Sequence, residues 1–117
     1  MRRLSAFIIE DEPRAQKLLE NLLDANFPEI QVVGNASSVK GAVKWLLSNE
    51  ADIIFMDVEL QDGNSFQIFD KVDVKGDVIM TTAYDSYAVK AFEVNSLDYL
   101  LKPIELEDLK RAVSRAI

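Results

Sequence analysis

Five short apolar runs recur along this chain, each followed by a segment of helical or turn character, and that alternation limits the available folds more than any other feature. Residues 4–9, 30–33, 53–56, 78–80 (running on to about Thr82) and 97–101 read as strands, being brief, apolar and closed by polar or turn-forming residues. Between them lie helical patterns. Pro13 suits the first turn of a helix, Glu12 favours its positive end, and Ala15, Leu18, Leu19, Leu22 and Leu23 share one face before Phe27-Pro28. Ser37 or Ser38 can cap a second helix carrying Val39, Ala42, Val43, Leu46 and Leu47 at helical spacing. Asp62-Gly63-Asn64-Ser65 marks a turn and residues 65–70 a short helix. Residues 84–94 fit a fourth helix with Ala88, Ala91 and Phe92 inward, and Leu106, Leu109, Val113 and Ala116 a closing fifth.

Apolar strands alternating with helices predict an α/β fold, its parallel sheet covered on both faces. Right-handed crossovers make it a doubly wound (βα)5 sheet of five strands. At 117 residues one domain, residues 1–117, is expected, and 49% hydrophobic residues are enough for a real core.

Composition narrows the chemistry. Thirteen basic against 20 acidic residues leave a net charge of −7, which argues against nucleic acid or an anionic membrane as a direct partner of this segment. With no Cys and no His, disulfides, thiol nucleophiles, His catalysis and most transition-metal sites drop out. No apolar run exceeds four residues, too short to span a bilayer, and Met1-Arg2-Arg3 precedes no long apolar stretch, which predicts a cytoplasmic protein. Carboxylate, hydroxyl and lysine remain.

Those groups sit at strand ends. Open α/β sheets bind ligands beyond the carboxyl ends of their strands, where strand order reverses. Glu10-Asp11-Glu12 follow the first strand, Asp57-Val58-Glu59 the third, Thr81-Thr82 the fourth and Lys102-Pro103 the fifth. The acids suit either a helix start or a hard cation such as Mg2+. Asp57, behind four apolar residues, is either a turn acid or a nucleophile toward a phosphoryl group. Thr82 and Lys102 are ordinary strand and surface residues taken singly; together they offer a hydroxyl and an ammonium to phosphoryl oxygens.

Glu10-Asp11-Glu12-Pro13, Asp57, Thr82-Ala83 and Lys102-Pro103, in this order and spacing, resemble the receiver domain of bacterial two-component response regulators over essentially the whole chain. Thr81-Thr82-Ala83-Tyr84, with the continuous run from Tyr87 through Asp98-Tyr99-Leu100-Leu101-Lys102-Pro103 to Ile104, resembles receivers of the LytTR group. The resemblance implies a flavodoxin-like receiver fold with strand order 2-1-3-4-5. It implies Asp57 as phospho-acceptor from a sensor histidine kinase, with Lys102 contacting the phosphoryl group. Mg2+ is then held by Asp11, Asp57 and the Glu59 backbone carbonyl beside Glu10, with Thr82 and Tyr99 as the switch and a Lys102–Pro103 bond that is often cis. It also implies a DNA-binding output domain beyond Ile117, while the net charge predicts no DNA contact by this domain itself; a Thr82 movement that admits Tyr99 predicts phosphorylation-dependent pairing through the fourth helix, fifth strand and fifth helix. Lys90, Asp98, Glu107 and Arg111 lie on or near that face, where they suit either pairs across a dimer or ordinary solvation.

Two positions depart from the receiver pattern. Glu10 stands where many receivers have Asp, which lengthens its reach and suits a cation contact through water. Gln61 replaces a Pro, which loosens the loop after Asp57. Two alternatives stay open. A phosphatase of the haloacid dehalogenase type would use Asp57 as nucleophile, although Glu59 matches its second acid poorly and 117 residues leave little room for a cap. The other is a flavodoxin-like module or a receiver that works without phosphorylation; a flavin module would need a phosphate loop where Glu10-Asp11-Glu12 stand.

Overall fold

A computed structural model of the protein describes residues 3–83 and 96–116. The helix expected at residues 84–94, with Tyr84 and Lys90, lies outside the described residues.

The main sheet has five parallel strands: β1 (Leu4–Ile9), β2 (Ile30–Ala36), β3 (Ile53–Asp57), β4 (Asp77–Thr82) and β5 (Asp98–Leu101). Their order is β2-β1-β3-β4-β5, as expected. Strand direction of travel reverses between β1 and β3, so the residues after these two strands flank the switch point.

Helices α1 (Pro13–Asn26), α2 (Val39–Ser48), α3 (Ile68–Lys71, entered through a 3-10 turn at Ser65–Gln67) and the closing helix (Leu106–Ala116) cover the two faces. Side chains alternate along each strand, and the core divides accordingly. On one face Ala6, Ile8, Phe55 and Ile79 pack with Leu19 and Leu23 of α1 and Leu109 and Val113 of the closing helix. On the other, Phe7, Ile9, Met56 and Met80 pack with Val39, Ala42 and Leu46 of α2, with Ile68, and with half-buried Tyr99. No helix among the described residues is long and apolar enough to cross a membrane.

Three local features differ from the sequence expectations. β2 does not stop at Val33 but continues through Gly34 to Ala36, with Ala6 opposite Val32 and Phe7 opposite Gly34. Val33 is the extra residue of a bulge, and Gly34 stays in the strand because a Cβ there would lie 2.7 Å from Trp45 Nε1. The Trp45 indole stacks on Phe7 with ring centroids 3.9 Å apart. Leu18 and Leu47, assigned to inner faces by periodicity, are 48% and 69% exposed, because the buried stripe of each helix is narrower than its apolar stripe. Glu59–Leu60 and Gly63–Asn64 form a small antiparallel ladder where a bare turn was expected.

Candidate functional site at the carboxyl edge of the sheet

Among the described residues the buried polar or charged ones are Glu10, Asp57, Ser65, Thr81 and Thr82, and four of them close β1, β3 or β4. Burying a carboxylate is costly unless it is paired. Here the partner comes from the fifth strand's end: Lys102 Nζ donates to Glu10 Oε1 and, at 3.0 Å, to Asp57 Oδ2. Parallel strands in register bring these residues together across 92 and 45 positions of sequence. Lys102 is itself fixed by its backbone N–H donating to Thr82 O at 2.8 Å, and the Lys102–Pro103 bond is cis. Glu10 Oε2 also accepts from the Glu12 N–H at 3.1 Å, so its extra methylene serves to reach Lys102 while still closing the turn into α1.

One ammonium therefore faces two buried acids. Burial pushes Glu10 up, but the hydrogen bonds from Lys102 and the Glu12 N–H outweigh it and hold Glu10 below the usual range. Asp57 goes the other way: burial, with Glu10 close by, raises it to about 7 despite Lys102. Burial and Glu10 also raise Asp11. Lys102 gains from both acids more than burial removes, and stays charged. Carboxylate oxygens of Glu10, Asp11 and Asp57 lie within 4.8 Å of one another. Three oxygen donors crowded beyond the reach of one lysine suit a hard divalent cation, so the residues fit Mg2+.

The resemblance pairs Thr82 with Tyr99 as the switch. Thr82 is buried and shares its sheet face with Met80, which stands opposite Tyr99 in the register. Glu59 is exposed, and its N–H points to Asp57 Oδ1 at 3.4 Å. Asp98 and Arg111 pair within the chain: Arg111 Nε lies 3.1 Å and Arg115 Nη1 3.5 Å from Asp98 Oδ2. One participant escaped the sequence reading. Asp62, taken as a turn residue, accepts from the backbone N–H groups of Val39 and Lys40 at the start of α2, a tie across more than twenty residues that leaves no local pattern. The loop with Gln61 in place of Pro is thus held at its tip as well as by its ladder.

The chain matches the family described as "Response regulator receiver domain" over residues 6–114. It is 36% identical over 115 residues to "Sensory transduction protein LytT" of Bacillus anthracis, covering 96% of this chain and 46% of that protein. It is 40% identical over 117 residues to "Transcriptional regulatory protein LytR" of Staphylococcus aureus, again covering 96% and 46%. The chain spans about half the length of these curated relatives. Among solved structures it resembles the response regulatory domain of mrkE from Klebsiella pneumoniae, with a TM-score of 0.84, 27% identity and coverage of 97% and 94%. The receiver domain of AraT from Geobacillus stearothermophilus gives a TM-score of 0.80 at 27% identity, with coverage of 97% and 92%.

Proposed function

Because this chain belongs to the response regulator receiver family, and to its LytTR type, we propose that Asp57 accepts a phosphoryl group from a sensor histidine kinase in a Mg2+-dependent transfer. Receiver domains of this family are switches in two-component phosphorelay signalling rather than turnover enzymes. The observation that carries the finer reading is the single lysine, Lys102, shared between buried Glu10 and Asp57 with Asp11 alongside, at the switch point of the sheet.

In the transfer, an Asp57 carboxylate oxygen attacks phosphorus, the P–N bond to the kinase histidine breaks, and the leaving imidazole keeps the electron pair and takes up a proton. Asp11, Asp57 and the Glu59 backbone carbonyl would hold Mg2+, with Glu10 beside them; bound there, the cation offsets the negative charge of the carboxylates and the incoming phosphoryl oxygens. Lys102 is already within hydrogen-bond distance of Asp57, so it can follow an oxygen of the arriving group with little movement. The Thr82 hydroxyl bonds a second oxygen, and Tyr99, on the same sheet face, takes up the space that Thr82 leaves. The altered face is the one expected of the fourth helix, β5 and the closing helix, through which two copies pair. The intact protein regulates transcription through a LytTR DNA-binding domain outside this chain. The aryl phosphatase reading differs in its outcome, since it requires efficient multiple turnover.

Incubation with acetyl phosphate and Mg2+, followed by intact mass, tests the reading. Wild type gains one phosphoryl increment; Asp57→Asn and wild type in EDTA gain none. An adduct that persists in Asp57→Asn overturns the assignment, and rapid repeated turnover of an aryl phosphate favours the phosphatase.

A further inference from the structure

The loop after Asp57 is anchored at both ends. At its base the Val58 N–H donates to Thr81 O at 3.1 Å and the Ser65 N–H donates to Val58 O at 2.8 Å. Glu59 and Leu60 pair with Asn64 and Gly63 to make it a hairpin. At its tip Asp62 Oδ1 accepts from Val39 N at 2.7 Å and Oδ2 from Lys40 N at 3.0 Å. A helix begins with four N–H groups that lack partners inside it. In α2 the first helical bond runs from the Ala42 N–H to Ser38 O at 3.0 Å, and Ser38 Oγ takes the Gly41 N–H at 2.9 Å. The Val39 and Lys40 N–H groups ahead of them go to Asp62. These donors hold the Asp62 carboxyl below the ordinary carboxylate range.

We propose that Asp62 is a positioning residue for the cation site, because pinning the hairpin tip to α2 fixes where the Glu59 backbone carbonyl points. A side-chain ligand can adjust by changing rotamer; a backbone carbonyl goes where its loop goes. Glu59 lies three residues from Asp62, inside the ladder, and the strand end bearing Asp57 lies on its other side. Mg2+ demands near-ideal octahedral geometry, so a ligand on an unpinned loop binds it less well. Groups that orient a metal ligand typically cost roughly 10–100-fold in metal affinity when removed. The inference rests on the Glu59 carbonyl being a ligand, as in the function proposed above.

The experiment measures Mg2+ binding by amide chemical shifts, and the Mg2+ dependence of acetyl-phosphate labelling, in wild type, Asp62→Ala, Asp62→Asn and Ser38→Ala. Asp62→Ala raises the Mg2+ dissociation constant about tenfold, while the labelling rate at saturating Mg2+ stays within about twofold of wild type. Asp62→Asn keeps one acceptor oxygen and falls between; if the alanine variant does not fold, it carries the test with a smaller shift. Ser38→Ala weakens the same helix start without touching the loop, and leaves the Mg2+ dissociation constant unchanged. Wild-type affinity in both Asp62 variants overturns the inference, as does an equal loss in Ser38→Ala, which would make it an effect of helix stability. Wild type that binds no Mg2+ overturns the underlying functional reading and this inference with it. Wild type that depends on Mg2+ beside insensitive Asp62 variants overturns this inference alone.

Discussion

Lys102 decides the electrostatics of the site, because its side chain is only 20% exposed and both its partners are more deeply buried. Removing one member of a buried pair leaves an uncompensated charge, so Lys102→Met should lower the stability of the metal-free protein by about 2–4 kcal/mol in a denaturant titration. Mg2+ added to that variant restores part of the loss, by binding the folded state alone. Asp57→Asn acts with the opposite sign. Burial pushes Asp57 in the fold up to about 7, above its unfolded value of about 3.9. A carboxyl raised in this way favours the fold fully below the unfolded value, and that contribution is lost as pH rises through about 7. In EDTA, Asp57→Asn therefore matches wild type near pH 4 and exceeds it by on the order of 3 kcal/mol at pH 8, a difference read from paired urea titrations. A difference independent of pH would assign the gain to something other than the Asp57 charge. Asp62 differs again: its folded value is depressed, so its contribution is present above the ordinary carboxylate range and is lost as pH falls through the lower folded value. The positions of Glu10, Asp57, Thr82 and Lys102 were legible because each ends or directly follows a strand, and sheet topology converts sequence order into proximity. Asp62 was not, because its partners are two backbone amides with no side-chain signature.

Elements were legible in proportion to how fully they are buried. β1 and β3 carry four consecutive apolar residues and lie inside the sheet, and their positions follow directly from the sequence. β2 is an edge strand with alternating exposure, and its glycine reads locally as a terminator. What keeps Gly34 in the strand is tertiary: the Trp45 indole, from the following helix, occupies the place of a side chain. Gly34→Ala should therefore push Trp45 off Phe7, costing about 1–3 kcal/mol in overpacking and reducing the near-ultraviolet circular dichroism of the indole. A full indole signal in Gly34→Ala would mean that the bulge at Val33 absorbs the added methyl. At Gly76 such relief is closed, since φ is +104° and a Cβ would meet the backbone oxygen of Ala51 at 2.2 Å. There, the turn into β4 and the end of the preceding strand connection require glycine together.

At the scale of the whole molecule the net charge of −7 opposes pairing of two copies, and a phosphoryl group at Asp57 adds to it. In the proposed dimer, charge pairs among the described residues do little to offset this. Asp98 is already held by Arg111 and Arg115 of its own chain, and exchanging those partners for the same groups on a second copy leaves the number of ion pairs unchanged. In the proposed pairing, apolar surface is available on the face that Tyr99 and Thr82 share and at the sheet edge, where Leu101 of β5 is 46% exposed. This fixes the response to salt. Ions screen repulsion between separated surface charges over about 8 Å at physiological strength, while leaving apolar burial largely intact. With beryllofluoride and Mg2+ as the phosphoryl mimic, sedimentation should show a dimer that tightens as salt is raised from about 0.05 to 0.5 M. Dimerisation that weakens with salt would instead mean that Asp98, Glu107 and Arg111 pair between copies. Sedimentation unchanged from the unliganded protein at both salt concentrations would rule out phosphorylation-dependent pairing by this chain, leaving the switched face to act on another partner.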